Sequence, residues 1–201
     1  KVVVEKEHLP FFDVAYQGFA SGDLVEDAFA PRLFASKGIE FLCSQSYAKN
    51  LGLYGERIGA LNAVLNSPEA ATKVLSQLKR VARAMYSNPP VHGARIVAEV
   101  VNNPETFKAW NEEMGMMSGR ITGVRKQLFD DLTELMPEKD WSFVTRQIGM
   151  FSFTGLSKEQ VENMTNKWHI YMTFDGRISL AGLSAGKARY LAEAMVDSYK
   201  L

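Results

Sequence analysis

Apolar residues follow two rhythms along this chain, and the change between them divides it. From Phe107 through Trp110, Met114, Met117, Ile121, Val124 and Leu128 they step by three and four, the spacing that places side chains on one face of an α-helix. The run predicts one amphipathic helix from about Pro104 to Leu135. A helix that long can leave one packed layer and enter another, so a domain change is placed along it, between a domain of residues 1–115 and a smaller one of 116–201.

Before that helix, short apolar runs alternate with turns. Pro10 to Tyr16 reads as a short buried strand ending in polar groups, with a loop from Gln17 to Gly22. Gly38 to Cys43 and Ile58 to Leu65 read as further strands, and Asp23 to Ser36 as a helix with Pro31 near its start or at a kink. Ser67 is a good N-cap with Pro68 at the first helical position, and Val74, Leu75, Leu78 and Ala82 share one face of the helix running to about Arg83. Tyr86-Ser87-Asn88-Pro89-Pro90 is a firm break. Beyond Pro137, Phe151-Ser152-Phe153 and Ile170-Tyr171-Met172 read as strands. Ser157 and Gln160 form a capping box for a helix ending near Trp168, and Ala188 to Tyr199 reads as a closing amphipathic helix. Alternating strands and helices argue for an α/β fold.

Composition narrows the function classes. The 201 residues are 46% apolar and 23% charged, with Lys+Arg and Asp+Glu both at 23, ordinary for a globular domain and without the basic excess that nucleic acid or an anionic membrane attracts. No run approaches a membrane span. The single cysteine, Cys43, excludes an intramolecular disulfide and closes an apolar run, where a packed thiol is expected. His8, His92 and His169 show no metal-ligand spacing, so no metal site is expected.

The chemistry concentrates at Ser44-Gln45-Ser46-Tyr47-Ala48-Lys49-Asn50-Leu51-Gly52-Leu53-Tyr54-Gly55-Glu56-Arg57-Ile58-Gly59. Lys49 stands in a turn of small and polar residues just after an apolar run. A lysine that is to attack a carbonyl needs a site polar enough to reach and dry enough to lower its pKa. Ser46 and Arg57 would suit a phosphate, which an arginine fork grips with two parallel bonds. A lysine beside a phosphate clamp is what pyridoxal 5′-phosphate demands of a protein.

This block resembles the pyridoxal-lysine signature of the class I pyridoxal-phosphate-dependent aminotransferases, and the resemblance extends over essentially the whole chain. It implies fold type I: part of a large mixed-sheet domain and a smaller C-terminal α/β domain, joined by the long helix. It also implies that Lys49 holds the cofactor as an imine and shuttles the substrate proton, with Ser46 and Arg57 on the cofactor phosphate. Phe12-Asp13-Val14-Ala15-Tyr16-Gln17-Gly18-Phe19-Ala20 is similar to the family block in which an aspartate pairs with the pyridine nitrogen and a tyrosine bonds the phenolic oxygen, roles that fall on Asp13 and Tyr16. Without the family, Asp13 reads as a turn residue and Tyr16 as core. Tyr171 to Gly182 resembles the C-terminal block whose arginine, here Arg177, takes the substrate α-carboxylate. Arg83 matches the arginine that reads the distal carboxylate of aspartate and glutamate from across a dimer interface. On its own it reads as a dipole partner at a helix end. Gly149-Met150-Phe151 would line the substrate pocket.

The implied activity belongs to the aspartate-specific branch: amino transfer between L-aspartate and 2-oxoglutarate, in a homodimer with shared active sites, with amino acids and 2-oxo acids as the small-molecule partners. The alternatives are an aromatic amino acid aminotransferase on the same scaffold, or a non-catalytic chain that only dimerises. The resemblance covers the family's second half, so the phosphate loop, the ring-stacking tryptophan and the rest of the sheet into which Val2-Val3-Val4 would fit are expected outside this sequence, leaving it inactive alone. Arg80 to Val100 and Asn163 to His169 are most similar to plant mitochondrial forms, which implies the mitochondrial matrix, with the cytoplasm as the alternative.

Overall fold

The computed structural model describes residues 1–201, in two compact units: Lys1–Gly18 with Asp23–Met114, and Phe19–Gly22 with Gly115–Leu201. The four-residue segment Phe19–Gly22 therefore groups with the second unit, which no local pattern indicated. Its carbonyls explain the assignment: Ser118 Oγ donates to Phe19 O at 3.3 Å. Gly22 has φ +85°, and a Cβ there would stand 3.3 Å from that of Ser118.

The first unit opens with a helical turn, α1 (Val2–Glu5), then β1 (Phe11–Val14), α2 (Leu24–Asp27), α3 (Phe29–Ser36), β2 (Phe41–Ser46), a 3-10 turn at Tyr54–Glu56 and β3 (Gly59–Val64). It continues with α4 (Pro68–Met85), α5 (His92–Asn102) and the start of α6 (Pro104–Leu135). Its sheet has the order β1-β2-β3, with β1 parallel to β2 and β2 antiparallel to β3. Such a mixed sheet is consistent with the α/β class.

Several local expectations are corrected. Val2–Glu5 is helical, with Val2 and Val4 exposed. β1 is at most half-buried, and Phe11 is exposed. Phe12 supplies its anchor, standing edge-on to Phe34 at 5.1 Å and to Phe41 at 5.2 Å. The helix expected from Asp23 is broken at Ala28. The Asp23 carboxylate accepts from Val25 N and Glu26 N to start α2, and Pro31 falls in the first turn of α3, where its missing N–H costs nothing. Ser67 caps α4 through Ala70 N and Pro68 opens it, as expected. α5 lies in a stretch that the apolar pattern left unassigned.

The second unit takes the rest of α6, then α7 (Phe143–Arg146), β4 (Phe151–Phe153), α8 (Lys158–Asn166), β5 (Arg177–Ser179) and α9 (Ala185–Tyr199). The periodicity located α6 correctly, and Met114, Ile121, Val124 and Leu128 are buried, whereas Phe107 and Met117 remain partly exposed. Leu128, Leu132, Trp141, Val144, Val161, Met164, Leu180, Leu191 and Met195 form the core of this unit. The Ser157–Gln160 capping box forms. The partner of β4 is Arg177–Ser179, not Ile170-Tyr171-Met172. Ile170 N instead bonds Met164 O at 3.0 Å and Thr173 N bonds Arg177 O at 3.1 Å, so that segment closes α8 and then turns into β5.

Asp197 on α9 ties these elements together. It accepts from Asn163 at 2.9 Å, Lys167 at 2.7 Å and Trp168 Nε1 at 2.8 Å. Those bonds, the lysine foremost, hold its carboxyl well below the usual carboxylate range. A depressed folded-state pKa gives stability that is present above the unfolded value, near 3.9, and is lost as pH falls toward the folded one. The melting-temperature gap between the parent and Asp197→Asn should therefore be widest near pH 7 and shrink as pH drops below about 4. Melting curves from pH 7 to pH 3 measure this, and a gap independent of pH would contradict it.

Candidate active site

β1 and β2 run parallel with Asp13 opposite Ser44 and Val14 opposite Gln45, so their carboxyl ends open on the same edge of the sheet. In α/β sheets that edge is where ligands bind. The chain leaving β1 carries Tyr16 and Gln17, and the chain leaving β2 carries Lys49. The two loops are stitched together. Gln45 Nε2 donates to Gln17 Oε1 at 2.6 Å, and the buried Asn50 donates to Gln17 O at 3.3 Å. Trp110 Nε1 in turn donates to Asn50 O at 2.7 Å. None of Gln17, Gln45, Asn50 and Trp110 was singled out from sequence as holding the site, because their pairing depends on contacts up to sixty residues apart.

The excursion from β2 to β3 is closed at its base. Tyr47 N bonds Ile58 O at 3.1 Å, and Ser46 faces Gly59 across the ladder. Ser46 is thus the last residue of β2, and its Oγ accepts from Ala48 N at 3.2 Å, leaving the hydroxyl proton free to donate. Arg57 stands at the other foot of the loop in a left-handed conformation (φ +50°, ψ +49°). Its Nη1 donates to Tyr54 O at 2.9 Å. The first turn of α5 packs on this foot: His92 Nδ1 is 3.0 Å from Glu56 Oε2, and a Cβ on Gly93 would come within 2.9 Å of that of Glu56.

Lys49 is half-buried, with Nζ 4.0 Å above the Tyr54 ring. An aromatic face stabilises an ammonium without neutralising it, and the amine has no carboxylate partner. Asp13 is exposed on β1 and likewise forms no ion pair. Tyr16 is half-buried two residues beyond the strand. Cys43 lies half-buried within β2, where burial pushes its thiol pKa up, in keeping with a packed, inert group.

The structure thus gathers Asp13, Tyr16, Ser46, Lys49 and Arg57 around one sheet edge of the first unit. Arg83 lies elsewhere in that unit, in the last turn of α4, where it is exposed and donates to Ser87 Oγ at 2.8 Å. Arg177 belongs to the second unit, on β5, with its guanidinium carbon 5.1 Å from the Phe151 ring centre. No cluster of His, Cys, Asp and Glu suited to a metal ion is present.

A lysine, a carboxylate, a hydroxyl and a guanidinium thus stand at the carboxyl edge of one mixed α/β sheet. The chain belongs to the aminotransferase class I and II family, whose sequence model matches residues 1–195. It is 64% identical over 199 residues to the mitochondrial aspartate aminotransferase P2 of Lupinus angustifolius, covering 98% of this chain and 44% of that protein. With the chloroplastic aspartate aminotransferase of Arabidopsis thaliana the figures are 65% identity, 98% and 44%. The chain thus spans less than half the length of these relatives. Cytoplasmic forms also match, such as that of Oryza sativa at 54% identity. Among solved structures, the aromatic-amino-acid aminotransferase from Burkholderia pseudomallei, covalently bound to pyridoxal phosphate, is 42% identical with a TM-score of 0.93, covering 98% of this chain and 49% of that one.

The base of the lysine loop gives a direct test of this geometry. A Cβ on Gly59 would lie 2.8 Å from the main-chain oxygen of Gln45, so Gly59→Ala must push β3 away from β2 beside Ser46. Such overpacking against backbone should cost about 1–3 kcal/mol. Urea unfolding of parent and variant measures the loss, and equal stabilities would show that the strands part freely.

Proposed function

We propose that this chain is the lysine-bearing part of a pyridoxal 5′-phosphate-dependent aspartate aminotransferase, which transfers an amino group between L-aspartate and 2-oxoglutarate. The observation that carries the reading is the closed loop between Ser46 and Arg57, which carries Lys49 out of the strand paired in parallel with the one that bears Asp13. The donor set suits the cofactor: an amine and a carboxylate without ion-pair partners, and a hydroxyl and a guanidinium at the two feet of one loop. Gly52 and Gly55 have no atom within 4 Å of where a Cβ would stand, so this loop leaves open space.

Pyridoxal phosphate, when bound, supplies an electron-withdrawing ring that accepts the electron pair left at the substrate Cα. The remaining work falls to side chains. Lys49 would anchor the cofactor through its amine and would move the proton at the substrate Cα as a general base and then acid. The Asp13 carboxylate keeps the ring nitrogen protonated, and the Tyr16 hydroxyl donates to the phenolic oxygen. Ser46 and Arg57 hold the phosphate, Arg57 as a planar two-point donor. Arg177 takes the α-carboxylate shared by all amino acids. Arg83 takes the second carboxylate of aspartate and glutamate, contributed to the site of the partner subunit in a homodimer. An organellar address, the mitochondrial matrix first and the cytoplasm as the alternative, is supported by the 64% and 65% identities to one mitochondrial and one chloroplastic relative, and subcellular fractionation tests it.

A second reading, transamination of aromatic amino acids, is favoured by the likeness to the Burkholderia enzyme. Substrate profiles separate the two. In the complete, cofactor-loaded protein that carries this sequence, Lys49→Ala should lower turnover at least about a hundredfold, the contribution of a positioned general base. Near-normal turnover would end the pyridoxal reading. Arg83→Asp should lower kcat/KM for aspartate about ten- to a hundredfold, the worth of a charge-assisted pair, while sparing phenylalanine and favouring arginine as the repulsion now faces the acidic substrate. Equal losses on aspartate, phenylalanine and arginine would make Arg83 a structural residue and remove the dicarboxylate assignment.

A further inference from the structure

β4 and β5 form a two-stranded ladder of three residue pairs, too small to hold its own shape in water. Yet Arg177 depends on it. Its direct neighbour across the ladder is Phe153, but its guanidinium leans diagonally, with the central carbon 5.1 Å from the centre of the Phe151 ring. No carboxylate pairs with that guanidinium; Asp175 is occupied by Thr173 Oγ1 and by Arg177 N at 3.3 Å. The Phe151 ring therefore favours one direction for the Arg177 guanidinium, through the attraction of a planar cation to an aromatic face.

Two side chains outside the ladder hold the backbone on either side of that ring. On the free edge of β4, Gln147 behaves as a surrogate strand. Its Oε1 accepts from Phe153 N at 2.7 Å and its Nε2 donates to Phe153 O at 2.9 Å. From the inner side, Arg125 of α6, only 5% exposed, donates to Val144 O at 2.7 Å, to Gly149 O at 2.9 Å and to Phe151 O. Gly149 has φ +80°, the left-handed conformation that needs glycine. Arg125 has no carboxylate partner, and its Nε is unbonded. Burying a cation against carbonyls alone is costly, and an apolar residue of similar volume would pack without that cost. What an apolar residue could not do is hold three carbonyls of one arch in fixed directions.

We infer that Arg125 and Gln147 are positioning residues for Arg177, clamping residues 149–153 so that the Phe151 ring aims the guanidinium. This rests on the reading of Arg177 as the α-carboxylate reader. The test uses the complete pyridoxal-phosphate-loaded protein that carries this sequence, with Gln147→Leu, Arg125→Lys and Arg177→Lys. The readouts are kinetics on aspartate and phenylalanine and calorimetric titration with succinate and 3-phenylpropionate, which carry carboxylates but no amine.

Gln147→Leu should raise KM for both amino acids and Kd for both carboxylates about three- to tenfold, the worth of one or two lost neutral hydrogen bonds. The kcat should stay within about twofold and the cofactor absorbance should not change. Arg125→Lys should act in the same direction, and if it fails to fold, Gln147→Leu carries the test alone. A lowered melting temperature in Gln147→Leu with unchanged Kd values would make the clamp merely structural and overturn the inference. If Arg177→Lys weakens both carboxylates while Gln147→Leu does not, only the inference falls. If Arg177→Lys leaves both unchanged, the underlying assignment of Arg177 falls with it.

Discussion

The parallel pairing of β1 with β2 is the constraint on which the candidate site depends. Four ladder pairs, from Phe11–Leu42 to Val14–Gln45, bring two stretches of chain thirty-one residues apart to a common edge. A slip of one residue would reverse every side chain between the faces of the sheet, turning Asp13 away from its present face. The Gln17–Gln45 and Asn50–Gln17 bonds then lock the two loops to one another, so Lys49 inherits a position from the sheet rather than from its own flexible stem. Trp110, holding Asn50 from α6, extends that lock to the long helix.

The antiparallel partner does the complementary work. Because β3 returns beside β2 with Ser46 opposite Gly59, the loop that carries Lys49 has both ends fixed within a single ladder rung of each other. The loop crown stays open, while Ser46 and Arg57 stand at its two closed feet. The left-handed Arg57 is the local strain point, and the packing of Gly93 of α5 against Glu56 and Ile58 over-determines it, as such conformations require. In the second unit the same logic recurs on a smaller scale. A short ladder is held by side chains that stand in for missing strands, with Arg125 inside, where burial pushes its pKa down, and Gln147 outside.

Some of this was written locally in the chain. The three-and-four spacing from Phe107 to Leu128 located α6, and Ser67-Pro68 and Ser157–Gln160 located two helix starts, because each rests on contacts within one turn. The block from Ser44 to Gly59 carried the lysine, hydroxyl and arginine of the candidate site, since all belong to one loop. Tertiary structure decided the rest. Which segment pairs with β4 could not be read from apolar content: Ile170-Tyr171-Met172 has the better strand composition, yet Arg177–Ser179 takes the ladder because Ile170 is already bound to Met164. Nor did any pattern announce Gln147, Arg125, Asn50 or Asp197. Each is a polar residue whose meaning lies in main-chain or side-chain partners that only the folded chain brings within hydrogen-bonding distance.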